Sequence, residues 1–500
     1  MSDRRLLAAE GAATGAIPHF DVIVIGSGPA GHKAAIQAAK LNRSALLVER
    51  EVSVGGACVH RGTIPSKTLR EAALAITSFR ARTGSVIEFT VREDLQVASL
   101  MTRMEQVVRG HEQMMGEQLR SDHALTVHGR ARFADPHHVD VESVGGQRTR
   151  YHADFVVIAT GSTPRTPDDV PIDHERILDS DSILSMTYLP KTLTVLGAGV
   201  IAAEYASIFA ALGTKVTMID RGPRPLGFID AEIADVFVGA FHRMGSRYLG
   251  GRKHVSVVWD EVDQVVTLLD DGSEVRSEKL LCCLGRLANL GGLEIGKAGL
   301  TATERGLIAV DADCRTAVPN IYAAGDVIGP PSLASSSAEQ GRRAICHMFG
   351  VSLGHGSDVI PAGIFTIPEM SQVGLTEPQA IRNHGACLVG RADYSDLARG
   401  KIAALEEGLL KLVADAGGRK LLGVQIVGEG AAELIHLGQQ ALIHGAEVDS
   451  FVDNIFNFPT LAEAYRVAAL DIVRQRRLLD PAGVPGERAT IPSAGPVGCH

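Results

Sequence analysis

The sequence lacks a long basic run, and its formal charge is −9 at pH 7. Neutralising nucleic-acid phosphates takes a clustered basic face, so a nucleic-acid partner is excluded. A disulfide framework is also missing. Seven cysteines, an odd number with no repeated spacing in 500 residues, do not make a secreted scaffold and point to a reducing, cytoplasmic setting. A signal peptide is not evident either, because the apolar run of MSDRRLLAAEGAATGAIPHF is short and broken by Glu10; residues 1–18 read as a flexible leader. The most apolar window, 193–213, approaches membrane-spanning length. It holds Glu204 and a Gly-x-Gly turn, so it reads as a buried strand and helix, and no membrane partner is expected. Finally, the 18 histidines show no HExxH or clustered ligand spacing, and His137 and His138 lie in a polar turn, FADPHHVD. No metal is expected.

What is present is size and glycine. Five hundred residues exceed one hydrophobic core and suggest about three domains. Apolar residues at 45% and charged residues at 21% fit a soluble globular protein, while 54 glycines imply tight turns or close backbone approaches to ligands.

Some of that glycine falls in a repeated unit. In residues 20–49, FDVIVIG reads as a buried strand, GSGPAG as a turn, HKAAIQAAKLN as a helix and SALLVE as a second strand. Gly26, Gly28 and Gly31 permit the tight turn, the approach of a pyrophosphate and close helix packing. The helix N-terminus offers a positive dipole end, and Glu49 would accept from a ribose hydroxyl. Residues 192–220 repeat the pattern with Gly197, Gly199 and Ala202 in the small positions and Asp220 as the acid. The interval from first glycine to acid is 23 residues in both copies. Two dinucleotides are therefore expected.

Further segments, FVVIATGS (155–162, with Thr160 and Gly161) and TAVPNIYAAGDVIG (316–329, with Asp326), each close an apolar run on a small-residue turn. Together with GGAC and PSK at 55–67, they resemble the flavoprotein disulfide reductases, the class I pyridine nucleotide-disulfide oxidoreductases that include lipoamide dehydrogenase, glutathione reductase and mercuric reductase. The resemblance covers about 19–475. It implies an α/β fold with two Rossmann-like dinucleotide-binding domains of glutathione reductase type and a C-terminal α+β dimerisation domain. FAD would be held by Gly26, Gly28, Gly31, Glu49, Thr160, Gly161 and Asp326, and NAD(P) by Gly197, Gly199, Asp220 and Gly285. Lys67 resembles the family lysine near flavin N5, and Glu204 its partner; a cation there stabilises negative charge developing on a flavin that accepts hydride.

Two departures touch one mechanism. Disulfide reductases of this family use C-x4-C, whereas this chain has Cys58 and Thr63; a hydroxyl can neither form the disulfide nor act as a thiolate. Thiol-exchanging members also carry His-Pro-Thr-x-x-Glu near the C-terminus. Here the segment is NFPTLAEAYRVAAL (457–470), with Phe458 in place of the histidine and Glu463 in place of the glutamate, and a hydrocarbon ring cannot shuttle a proton. Candidate active-site residues are thus Lys67, Glu204, Thr63 and Cys58, the last with no assigned role.

With no thiol relay, hydride must leave the flavin for something that reaches it directly, and a second nicotinamide nucleotide is the simplest acceptor. The segments at 55–67, 326–335, 366–374, 428–439 and 456–470 are similar to those of the soluble, flavin-containing pyridine nucleotide transhydrogenases. That resemblance implies ping-pong hydride exchange between NADPH and NAD+, both as substrates. The alternatives are an NAD(P)H-dependent quinone or dye reductase, a dihydrolipoamide dehydrogenase-like enzyme, and a flavin-based redox-sensing binding protein. Asp220 suits the 2'-hydroxyl of NAD, and Arg221 and Arg224 either offset its repulsion of a 2'-phosphate or belong to a solvated loop.

Cys282 and Cys283, adjacent in KLLCCLGR, read as small core residues. The tail 480–500, rich in Pro and Gly, reads as disordered; its Cys499 raises the thought of a relay to Cys58. The expected organisation is FAD-binding at 19–150 and 281–350, NAD(P)-binding at 151–280 and dimerisation at 351–475, with a homodimer or higher homo-oligomer as the assembly.

Overall fold

Strand His19–Ile25 is apolar from Val22 onward, and Val22, Ile23 and Val24 are fully buried, as a parallel strand covered on both faces requires. A computed structural model of the chain describes residues 17–83, 97–353 and 359–479; most of the leader, the tail and Cys499 lie outside them. The chain divides into two compact units, Met1–Met370 and Ser371–His500.

In the first unit, His19–Ile25 pairs in parallel with Ala45–Glu49 on one side and Arg148–Ile158 on the other. Leu125–His128 extends the sheet beyond Ala45–Glu49. The long strand Arg148–Ile158 pairs with the antiparallel His138–Glu142 through its first half and with the returning strand Ile321–Ala323 through its second. Helix Pro29–Lys40 packs against helix Ala334–Met348 closely enough that a Cβ on Gly341 would lie 2.1 Å from the Ala30 carbonyl oxygen. That contact explains the glycine in the middle of a helix.

A second parallel sheet runs in the order Arg247–Gly250, Lys215–Asp220, Thr192–Leu196, Lys279–Cys282, Ile177–Asp179. An antiparallel ribbon, Ser162–Pro164 with Arg286–Ala288, carries the chain out to this sheet and back. The sheets adjust the boundaries expected at 150/151 and 280/281: Arg148–Ile158 belongs to the first sheet along its whole length, and Lys279–Cys282 to the second, because a strand cannot leave its ladder part-way without orphaning backbone groups. Cys282 is buried in the core beneath this sheet, as expected of a small packing residue.

The second unit is built on strands Met370–Gly374, Leu421–Val427, Leu409–Asp415 and Cys387–Asp393, neighbours in that order. Helix Glu463–Leu479 lies on the last of these. A Cβ on Gly390 would meet the Ala468 carbonyl oxygen at 1.9 Å, and Gln475 Nε2 donates to the Val389 carbonyl at 2.7 Å.

Candidate active site

The two glycine turns match bond for bond. Gly26 and Gly197 stand at φ +102° and +99°, and a Cβ on them would strike the carbonyl oxygens of Ala159 and Cys283 at 2.4 and 2.6 Å. Each therefore demands glycine both for conformation and for space. The next backbone N–H donates to the acid at the end of the second strand: Ser27 to Glu49 Oε2 at 2.9 Å and Ala198 to Asp220 Oδ2 at 3.1 Å.

The middle glycines differ in kind. Gly28 and Gly199 have φ −62° and −75°, which any residue adopts, and an added Cβ would meet no atom within 4 Å at either. Nothing among the described residues calls for glycine there. A pyrophosphate drawn against the backbone at a helix N-terminus does, so the turns fit dinucleotides. The Thr160 hydroxyl, buried and without a hydrogen-bond partner among the described residues, and Gly161, at φ +68°, follow Ala159, whose carbonyl abuts Gly26.

The GGAC segment closes over the first turn. Gly56, at φ +60°, comes so near that its Cβ would lie 2.9 Å from Gly28 Cα. The buried Ser27 hydroxyl ties three pieces together, donating to Glu49 Oε2 at 2.5 Å and accepting from the Gly55 N–H at 2.9 Å. The sequence carried no sign of this role for Ser27, because it depends on a residue 28 positions away meeting the turn.

Cys58 is a free thiol. Burial pushes its pKa up, against the pull of a hydrogen bond with the Thr63 side chain and the charge of Lys67. Thr63 begins helix Thr63–Thr83. One turn on, Lys67 Nζ donates to Glu204 Oε2 at 2.5 Å. The other oxygen of this buried carboxylate accepts from the Phe365 N–H at 2.9 Å, and Lys67 Nζ lies 5.0 Å from the Phe365 ring centre. Removing either partner would leave the other without its counter-charge, so the pair fixes where the Lys67 side chain sits.

Asp326 follows the strand Ile321–Ala323, and its Oδ2 accepts from the Ser162 hydroxyl at 2.6 Å. Arg286 holds Ser162 in turn, Nε to Oγ at 2.8 Å and Nη2 to the carbonyl at 2.8 Å. Arg286, quoted in the sequence without a role, is thus the clamp across the ribbon that links the two sheets. Gly285 beside it has φ +107° and open space around it. On the second turn, Arg224 is held by Asp235, Nε to Oδ1 at 2.6 Å, whereas Arg221 is exposed and in no ion pair among the described residues. In the second unit, Phe458 is 74% exposed, and Glu463 accepts from the Thr460 N–H at 3.3 Å.

Residues 20–341 match the pyridine nucleotide-disulphide oxidoreductase family, and residues 360–469 its dimerisation domain. The chain belongs to this family. The soluble pyridine nucleotide transhydrogenase of Mycobacterium bovis (strain BCG / Pasteur 1173P2) is 41% identical over 462 residues, covering 92% of this chain and 98% of that protein. That of Marinobacter nauticus is 41% identical over 91% and 98%. Among solved structures, LpdA from Mycobacterium tuberculosis matches with a TM-score of 0.82 at 26% identity, covering 91% of this chain and 99% of that one. The HOCl-induced flavoprotein disulfide reductase RclA from Escherichia coli matches with a TM-score of 0.80 at 25% identity, over 90% and 99%. Both are consistent with the doubly wound fold of this family member. Among the described residues, no helix is long and apolar enough to cross a membrane.

Proposed function

We propose that this chain is an FAD-dependent pyridine nucleotide transhydrogenase, exchanging hydride reversibly between NADPH and NAD+ without an active-site disulfide. The observation that carries the reading is Thr63, a hydroxyl near enough to Cys58 to oppose the rise in its pKa where a disulfide reductase needs its second sulfur, alongside an intact Lys67–Glu204 pair. The transhydrogenase relatives support it.

Gly26, Gly28, Gly31 and Glu49 would hold the FAD pyrophosphate and ribose, with Thr160, Gly161 and Asp326 completing that cradle. Gly197, Gly199, Asp220, Arg221 and Gly285 receive the nicotinamide nucleotides. FAD bound there supplies a two-electron site able to take up and release hydride. Lys67 would set a positive charge beside the group that accepts hydride, and Glu204 would orient it; loss of one such preorganised donor lowers rates on the order of 100-fold to 1,000-fold. Cys58, its thiol kept protonated by burial, lines the site without reacting. NADPH and NAD+ would occupy the same cleft in turn, the first leaving before the second enters. The dimerisation domain makes the assembly a homodimer, with Phe458 in place of a proton-shuttling histidine.

The test is anaerobic. The yellow absorbance of the purified protein should bleach with one equivalent of NADPH and return on adding NAD+. Recovery with a quinone but not with NAD+ refutes the proposal.

A further inference from the structure

The histidines that looked scattered in the sequence meet on one face of the first sheet. His19 begins strand His19–Ile25 and is directly paired with His152 of the neighbouring strand. On its other side His152 is directly paired with His138. Laterally paired residues point to the same face of a sheet, with Cβ atoms about 5 Å apart, so three imidazoles stand in a row across three strands. The His152 ring centre lies 5.0 Å from that of His19 and 5.0 Å from that of His138. Asp154, two positions along the strand, shares that face, and its Oδ1 is 3.0 Å from His19 Nε2.

One ligand atom each from His19, His152 and Asp154 lies within 4.8 Å of the other two. Around a tetrahedral ion at about 2.1 Å from each ligand, neighbouring donors sit about 3.4 Å apart, a closure that small side-chain rotations provide. His19 and Asp154 side chains are each about half exposed (52% and 51%), so an ion has access and the side chains have room to move.

We propose that His19, His152 and Asp154 bind a divalent transition-metal ion, Cu2+ most tightly and Zn2+ next, with water filling the remaining positions. Two imidazoles and one carboxylate suit these borderline ions rather than Mg2+ or Ca2+, and the general order of divalent affinities puts copper first. His138 is held through Nδ1 by Asp135 at 2.9 Å, so it flanks the site rather than completing it. The site lies at the opposite end of the strand from Gly26, about 23 Å away at about 3.3 Å per residue, so the ion takes no part in hydride exchange. It pins the first strand to the long strand beside it and stabilises the folded state by binding it alone.

Untagged, EDTA-treated holoprotein titrated with CuSO4 should show one copper per chain, with nitrogen splitting from two imidazoles in its electron paramagnetic resonance spectrum. ZnCl2 should raise the melting temperature. His152→Gln should weaken copper binding at least tenfold and abolish the zinc effect while yellow colour and exchange rate stay unchanged. Asp154→Asn, on an exposed side chain, makes the same test should His152→Gln fold poorly. Cys58→Ser should keep the copper site. The proposal is overturned if the His19→Gln/His152→Gln double variant binds copper as tightly as the wild type, or if Cys58→Ser abolishes the signal. Neither result bears on hydride exchange.

Discussion

At the residue scale, the decisive position is Thr63. Its side chain is near enough to Cys58 to oppose the rise in the thiol's pKa, so Thr63→Cys places a second sulfur where the family's disulfide forms. After air oxidation the variant should show one titratable thiol fewer than the parent, because the added cysteine and Cys58 are both consumed. It should also gain NADPH-dependent reduction of a small aromatic disulfide, with slower return of colour on adding NAD+; an unchanged rate and one extra free thiol would mean that the geometry does not pair them. Arg221 is the other position where one side chain separates outcomes. Arg221→Ala should raise the KM for NADPH about tenfold, about 1.4 kcal/mol, and leave the KM for NADH within twofold, because only the former carries a 2'-phosphate. Arg224, already engaged by Asp235, should matter less.

At the scale of the strand–turn–helix element, three glycines with one spelling do three jobs. Gly31 faces protein: a Cβ there would lie 1.8 Å from the Gly26 carbonyl oxygen. Gly31→Ala should therefore cost about 3 kcal/mol of overpacking, read in urea midpoints. Gly28 faces only space. Gly28→Ala should leave the stability of the apoprotein within about 0.5 kcal/mol while lowering retained FAD, read from the ratio of flavin to protein absorbance. Equal destabilisation by both would remove the reason for placing a pyrophosphate at Gly28. The sequence showed that the motif was present in duplicate, and the strands and helices expected at 20–49 and 192–220 are the ones found. It could not show which glycine served packing and which served a ligand, since that depends on Ala159 and Cys283, far along the chain, ending their strands against Gly26 and Gly197.

At the scale of the whole molecule, two nucleotide-binding sheets share one compact unit, crossed by the Lys67–Glu204 pair and the Arg286 clamp on Ser162. The proposed exchange, with one hydride site visited in turn by two nucleotides, predicts parallel lines in double-reciprocal plots of rate against NADPH at several fixed NAD+ concentrations. Intersecting lines would require both nucleotides to be bound at once, against that picture.

The sequence by itself determined the duplicated dinucleotide turn, the lost second sulfur and the lost histidine at Phe458, because each is a matter of which residue stands at a fixed local spacing. Only the tertiary structure decided that Ser27 joins Glu49 to Gly55, that Arg286 braces Asp326 through Ser162, and that His19, His138 and His152 form a row. Those contacts arise from strand register and chain crossing, which bring together residues separated by tens to more than a hundred positions, and no local pattern encodes such a meeting.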